Sequence, residues 1–372
     1  MPMFTRLPQN LSTIDVEAVR RGYGVDMTAF EFSAAPARRR FSGSASLVIV
    51  AIVAMATLAQ VNADSFYYGD LLTFFLPSLF GISVAAILMA LVARHRVLAA
   101  IALVLAVLNG LPLLMPVDRA AASASGRELR VATSNVLGNR NDYGDLVAWS
   151  TKSGIDVLGQ QEVSGYVLRQ FGALRAHFPS APPAELLGHY PEVMAWSAWR
   201  IIKAEHVQNV PFAAPGEGWG GNPLRLELAP PGTPDTASGS TLKPAVVVYV
   251  LHPTTPRSFD QWESRNLYLS AVARSVAAEL PGTPVVVLGD FNTPTWSPFF
   301  QSFLRKSGLV DAAGTGWPGT TRFSRRWFAK NFHFGSPVDH ILVSRNIEVK
   351  SFEVGPDIGS DHLPILADLR LP

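Results

Sequence analysis

Six short stretches of this 372-residue chain place polar side chains at the ends of apolar runs. Leu129 to Val136 carries Thr133-Ser134-Asn135, and the run from Asp156 ends in Gln160-Gln161-Glu162. Ala245 to His252 delivers an imidazole just before Pro253, and Val285 to Gly289 delivers Asp290-Phe291-Asn292. Val338 is followed by Asp339-His340, and near the C-terminus comes Ser360-Asp361-His362-Leu363-Pro364. A polar group at the end of a buried strand is unfavourable unless something there uses it. Taken singly, each has an ordinary explanation: Asn135 as a backbone cap, Glu162 as a surface carboxylate, His252 as a packing imidazole, Asp290 as a turn cap, Asp339 as its neighbour's partner. His340, followed by an apolar strand, reads as structural. Together they form a set of carboxylates, carboxamides and imidazoles without a thiol, because the chain has no cysteine.

That donor set favours a hard cation. Oxygen ligands from Asp, Glu and Asn suit Mg²⁺ or Mn²⁺, whereas zinc would draw on more His or Cys. An Asp beside an imidazole supplies an oriented proton-transfer group. A metal, an oriented base and amide donors are the equipment for attack of water on phosphorus.

In this order Asn135, Gln161-Glu162, His252-Pro253, Gly289-Asp290-Phe291-Asn292, Asp339-His340 and Ser360-Asp361-His362 resemble the endonuclease/exonuclease/phosphatase superfamily, over essentially the whole segment from Arg130 to Leu371. The resemblance implies a four-layer α/β sandwich, in which two mainly antiparallel sheets lie face to face, flanked by helices, with the site at one rim. It implies Glu162 as the principal ligand of Mg²⁺ or Mn²⁺, with Asn135 and Asp361 completing or supporting the metal site. It implies Asp290 as the group that orients or deprotonates water and Asn292 as a holder of a phosphate oxygen. His362, paired with Asp339, would act as base or as a stabiliser of pentacovalent phosphorus, and His252 would contact phosphate or protonate the leaving oxygen. The choice between Asp290 and His362 as proton acceptor stays open.

The elements that position these residues follow from periodicity. Short Val/Ile/Leu-rich runs predict strands over 129–136, 156–160, 193–196, 224–228, 245–252, 285–289, 338–343 and 363–369. Helices are expected over 142–153, 164–176, 258–279 and 298–307. The Pro/Gly/Thr/Ser stretch 229–241 reads as a surface loop. The catalytic domain is thus expected over 128–372, after a linker at 118–127.

The front of the chain has another character. Charged residues make up 16% of the whole, hydrophobic residues 48%, and mean hydropathy is +0.20. Three charge-free apolar runs, 41–61, 71–93 and 97–117, each approach the roughly 20 residues that cross a bilayer. Asn109, Gly110 and Pro112 interrupt the third. Arg38, Arg39 and Arg40 precede the first run and Arg94 and Arg96 separate the second from the third, whereas the 62–70 connector holds Asp64 and Asp70 and no base. Three spans with this charge bias put the N-terminal arm (1–40) in the cytoplasm and the catalytic domain outside it. An integral inner-membrane protein with a periplasmic or extracytoplasmic domain is expected.

From Arg127 onward 22 basic residues balance 22 acidic ones. A strongly basic nucleic-acid-coating module is not expected on that balance, although a local basic patch is not excluded. Arg322, Arg325 and Arg326, interleaved with Phe323, Trp327 and Phe328, form such a patch and are candidate substrate-binding residues. The alternative is a solvated strand pair with snorkelling arginines. The leading expectation is a membrane-anchored Mg²⁺-dependent phosphodiesterase of nuclease type. A phospholipid or sphingolipid phosphodiesterase or phosphatase is the alternative of the same class, and an inactive membrane-tethered binding protein the alternative of another. The partners expected are a phosphate-ester substrate and the membrane; no protein partner is inferable. A transport role has no support, since no ionisable residue lies within a predicted span.

Overall fold

Side chains on a β-strand alternate between its two faces, so a strand apolar at every position needs a layer on each side. The strand β6 (Val246–His252) is of this kind. Val246, Val248 and Val250 share a core with Val131, Leu158 and Ile365 of a second sheet. Val247, Tyr249 and Leu251 belong to another core with Leu269, Val272 and Phe300 of two covering helices. The computed structural model describes residues 35–114, 126–138, 142–187, 192–211, 220–233, 243–314, 317–323 and 335–372. The N-terminal arm up to residue 34, most of the 118–127 linker and much of the 229–241 loop lie outside the described residues.

The first sheet holds β1 (Glu128–Asn135), β2 (Val157–Val163), β3 (Glu192–Ser197), β12 (Glu348–Val354) and β13 (Ile365–Arg370), in the order β12-β13-β1-β2-β3. The second holds β4 (Arg200–His206), β5 (Gly221–Ala229), β6, β7 (Val285–Asp290), β8 (Val310–Asp311) and β11 (Asp339–Val343), in the order β4-β5-β6-β7-β11-β8. A small pair, β9 (Arg322–Phe323) with β10 (Gly335–Ser336), stands apart. Both sheets are mainly antiparallel, and each contains one parallel pair, β1 with β2 and β6 with β7. Gly159 of β2 lies where the sheets touch: a β-carbon there would come within 2.1 Å of Leu288. The result is the sandwich expected from the sequence.

Four apolar-region helices precede it: α1 (Ala35–Val61), α2 (Tyr67–Thr73), α3 (Leu76–Val92) and α4 (Arg96–Leu114). α1 and α4 are long and apolar enough to cross a membrane. The second predicted run, 71–93, is not one straight helix, because α2 and α3 meet at 78°. Pro77 sits in the first turn of α3, where a missing N–H leaves no bond unmade, so a new helix starts there. Counting the bent pair as one span gives the three expected. Asn109 does not break the third run. Its amide donates to Thr57 Oγ1 (3.0 Å) and Ser83 Oγ (3.3 Å), tying three helices together. Leu47, Ile52, Met55, Leu88 and Leu103 all project outward, more than half exposed, which suits lipid rather than water.

The sandwich's helices include α5 (Gly144–Lys152) and α6 (Gly165–Gln170) on the first sheet's side, and α7 (Phe259–Ala277) and α8 (Pro298–Ser307) on the second's. Ser258 and Ser297 cap α7 and α8 with their hydroxyls. Against these last two helices α2 docks, through Asp70 and Tyr67.

Candidate active site

Strand direction brings the polar strand ends together. β1, β2, β6 and β7 all finish at one rim, since each parallel pair shares a direction. β11 runs against β7, with Asp339 opposite Asp290, so its first residue lies at that rim. β13 runs against β1, with Ile365 opposite Thr133, so the chain entering it through Asp361 and His362 arrives there too.

Local geometry then aims the side chains. Asn135 Nδ2 donates to Glu162 Oε1 (3.0 Å) and to Asp290 Oδ2 (3.1 Å), bridging the two sheets. The carboxamide oxygen of Asn135 is turned away, accepting from the Leu137 amide (3.1 Å). Glu162 is the extra residue of a bulge between β2 and β3 and has φ of +59°. A bulge re-aims a side chain, and a left-handed non-glycine persists only where its surroundings enforce it. His362 Nδ1 lies 2.9 Å from Asp339 Oδ2. The Nε2 atoms of His362 and His252 each lie 3.7 Å from Asp290 Oδ2. Asn292, at φ +48°, donates its amide N–H to Asp290 Oδ1 (2.8 Å) and its side-chain Nδ2 to Pro253 O (3.0 Å). Ser360 Oγ donates to Asn135 O (2.8 Å), fixing the segment that carries Asp361 and His362. Gly289 permits the approach of β6 to β7 just before Asp290. Its φ is +149°, and a β-carbon would fall 2.1 Å from Leu251 O.

Burial separates the protonation states of these groups. Burial alone would depress His362, but Asp339 and Asp290 more than reverse this and push it up to about 9. Burial brings His252 down to about 4, against the attraction of Glu162. Burial raises Asp290, opposed by His362. At neutral pH the rim therefore holds a cationic His362 and a neutral His252 around the Asp290 carboxyl group. Groups pushed apart in this way mark acid–base roles.

The structure brings Asn135, Glu162, His252, Asp290, Asn292, Asp339, Asp361 and His362 to this rim. Arg322 joins them: its backbone forms a β-bridge with His362, and its charge acts on Asp290 and both histidines. Arg325 and Arg326 lie outside the described residues. His340 is packed between Phe291 and Phe300, with Nε2 2.9 Å from Thr293 O, as a structural imidazole would be. Glu192 is a residue the apolar-run pattern did not single out. It opens β3 at φ +52°, and burial together with Glu162 pushes it up to about 7. Its only sequence signal was a carboxylate at the start of a predicted strand.

Several buried polar atoms here have no hydrogen-bond partner among the described residues: Asp339 Oδ1, Asp361 Oδ1, Asn292 Oδ1 and both ring nitrogens of His252. Native proteins rarely leave such atoms orphaned, and each needs an explanation. The orphaned oxygens fit a hard divalent cation better than a softer metal, and a His252 ring N–H can donate to a phosphate oxygen. Asp290, Asp339 and His362 also offer ligand atoms within 4.8 Å of one another. In that trio, however, one Asp339 oxygen already pairs with the imidazole.

Two sheets with carboxylates and imidazoles gathered at one rim define an α/β sandwich with a candidate site at its edge. The Endonuclease/Exonuclease/phosphatase family profile matches residues 132–362, and the chain belongs to that family, whose members hydrolyse phosphate esters. Among solved structures, a functionally unknown conserved protein from Enterococcus faecalis V583 superposes with a TM-score of 0.50 at 16% identity, covering 66% of this chain and 100% of that one. An endonuclease/exonuclease/phosphatase from Beutenbergia cavernae DSM 12333 gives 0.46 at 21% identity, covering 66% and 72%. Sphingomyelinase C from Streptomyces griseocarneus gives 0.47 at 17%, covering 65% and 99%. Among curated proteins, none matches this sequence.

Proposed function

We propose that this protein is a membrane-anchored phosphodiesterase that hydrolyses phosphate esters with a divalent cation, Mg²⁺ or Mn²⁺. The observation that carries this reading is the pair of histidines set about Asp290, with His362 held by Asp339. Glu162 would hold the cation, with Asp361 beside it and Asn135 steadying Glu162 through its amide. Such an ion supplies charge neutralisation and polarisation of the phosphate. Asp290, its pKa raised by burial and its position fixed by Asn135 and Asn292, accepts the proton of the attacking water. His362 carries its own proton at neutral pH and so stabilises charge developing on the phosphoryl oxygens rather than acting as base. His252 would contact the leaving oxygen, and the Asn292 amide would hold a non-bridging oxygen.

The contacts of α2 favour a substrate at a membrane surface. Tyr67 donates to Pro256 O (3.3 Å), and Trp296 donates to Thr73 O. Pro256 and Trp296 belong to the loops that follow His252 and Asp290. The domain therefore sits at the end of the helical bundle that carries the base-free 62–70 connector. Together with the arginines at 94 and 96, this supports an extracytoplasmic domain.

The test uses the full chain in detergent micelles with bis(p-nitrophenyl) phosphate, plasmid DNA, RNA, sphingomyelin and phosphoinositides. Hydrolysis in Mg²⁺ or Mn²⁺ that stops with EDTA is expected, with lipid headgroup phosphodiesters preferred over nucleic acid. Inactivity on every phosphodiester with either ion would overturn the reading. A preference for DNA would remove only the membrane-surface substrate.

A further inference from the structure

Asp70 belongs to α2, between the first two apolar runs, yet its carboxylate lies wholly buried in the catalytic domain. Oδ2 accepts from Arg265 Nη2 (2.5 Å) and Trp262 Nε1 (3.1 Å), and Oδ1 accepts from Ser297 Oγ (2.8 Å). Arg265, equally buried, directs its other nitrogens to Asn266 Oδ1 and to the backbone carbonyl of Asn292 (Nη1, 3.0 Å). Its guanidinium lies over the Phe299 ring, 5.4 Å from the centroid. Burial pulls the guanidinium pKa down, and Asp70 is the charge that opposes this.

The link ends on a strained residue of the rim. Asn292 holds a left-handed backbone, a conformation that is disfavoured without enforcement by its surroundings. Its N–H is tied to Asp290 and its side-chain amide to Pro253. Its carbonyl is tied to Arg265. Removal of Asp70 leaves Arg265 buried without a counter-charge, and a buried cation in that state moves toward water rather than stay. The restraint on the Asn292 carbonyl moves with it.

We propose that Asp70 is a positioning residue of the hydrolytic site: acting through Arg265, it holds Asn292 and hence Asp290 in working geometry. The site is then completed by a segment of the membrane anchor, and the anchor does more than tether. The effect on rate rests on the hydrolytic reading above; the effect on loop geometry does not.

The experiment compares wild type with Asp70→Asn and Asp70→Glu, each as the full chain in micelles. Amide hydrogen exchange is read in metal-free protein at 290–297 and 253–256, with β12 and β13 as the internal control. Turnover of bis(p-nitrophenyl) phosphate is read in Mg²⁺. Asp70→Asn is expected to speed exchange in both loops by about tenfold or more with β12 and β13 unchanged. It is expected to lower kcat by roughly 10²-fold, with KM within about twofold, because small misplacements at a reacting centre cost rate in this range. Asp70→Glu, which keeps the charge, should recover part of both. Wild-type exchange in the loops, or faster exchange spread evenly to β12 and β13, overturns the proposal, as does an unaltered kcat in an active enzyme. Should Asp70→Asn fail to fold, Arg265→Lys decides the matter. Lysine keeps the charge opposite Asp70 but cannot bridge to Asn292, so the same local exchange is expected and its absence overturns the proposal. Wild-type protein without turnover sinks the hydrolytic reading, while the exchange measurement still decides the positioning role.

Discussion

Two constellations of buried charge lie on the second sheet, and they are built on opposite terms. On the helix-facing surface, Arg225 of β5 grips Glu279 with Nε (2.6 Å) and Nη2 (3.0 Å) and reaches Glu205 (3.0 Å) and Glu227 (2.7 Å) with Nη1. Tyr249 adds a bond from its hydroxyl to Glu279. None of these side-chain atoms is orphaned among the described residues. At the rim, Asp290, His252, Asp339 and Asn292 are more deeply buried and yet keep atoms without partners or at contacts of 3.7 Å. A satisfied network stabilises, whereas a partly satisfied one is unfavourable for folding and is kept for what it binds. The difference teaches which of two similar-looking charge clusters is the candidate site.

The largest effect that can break this contrast is catalytic. His362→Ala and Asp290→Asn are each expected to lower kcat by roughly 10³- to 10⁴-fold, the scale of a lost proton-transfer or charge-stabilising group. Asp290→Asn should not lower the melting temperature by more than a few degrees, because burial disfavours the charge that the amide lacks. Hydrolysis kinetics and thermal unfolding on the same preparations check both halves. Activity within tenfold of wild type, or a large loss of stability in Asp290→Asn, would show that the rim is a structural cluster like the other.

The mirror experiment falls on Glu279. Removing Glu279 takes two hydrogen bonds from Arg225 and one from Tyr249, while Glu205 and Glu227 stay beside Arg225, a loss of about 3 kcal/mol for bonds to a charged group. The side chains of Glu279 and Arg225 are 13% and 16% exposed. Glu279→Ala should therefore unfold roughly 6–12 °C lower, taking about 2–4 °C per kcal/mol for a domain of this size. Turnover per folded molecule should stay at the wild-type level at a temperature where both are native. A fall in kcat would mean that the two clusters are coupled.

The same two regions show what a sequence can and cannot disclose. β6 and β7 were legible because burial on both faces leaves near-continuous apolar runs, and the residues ending those runs stand out. β4 and β12 were not. Each is the edge of its sheet, half solvated, and carries residues such as Arg200, Lys203, Glu348 and Lys350 that erase the apolar pattern. The rim residues were legible as a set because they punctuate strands. Glu192 and Arg265 were not, because a lone carboxylate or arginine on an element reads as a solvated group until a fold buries it. Asp70 looked like a loop acid for the same reason. Its partners lie nearly 200 residues away, and no local spacing records a contact of that kind.

The smallest effect concerns pH and refines the assignment of Glu279. Burial would raise its carboxyl, but hydrogen bonds from Arg225 and Tyr249 outweigh this and hold it below its ordinary value. A carboxylate whose pKa is lower in the folded than in the unfolded state stabilises above the unfolded pKa, near 4.5, and loses that contribution as pH falls through the folded one. Wild type and Glu279→Gln should therefore differ most in melting temperature between about pH 6 and 7, and the gap should narrow steadily as pH falls below about 4.5. The amide has nothing to titrate, so it lacks this limb of acid destabilisation. A gap that stays constant down to pH 3 would mean that Glu279 acts through shape and hydrogen bonding rather than charge. The satisfied cluster would then be a polar packing device, and its contrast with the rim would rest on unpaired atoms alone.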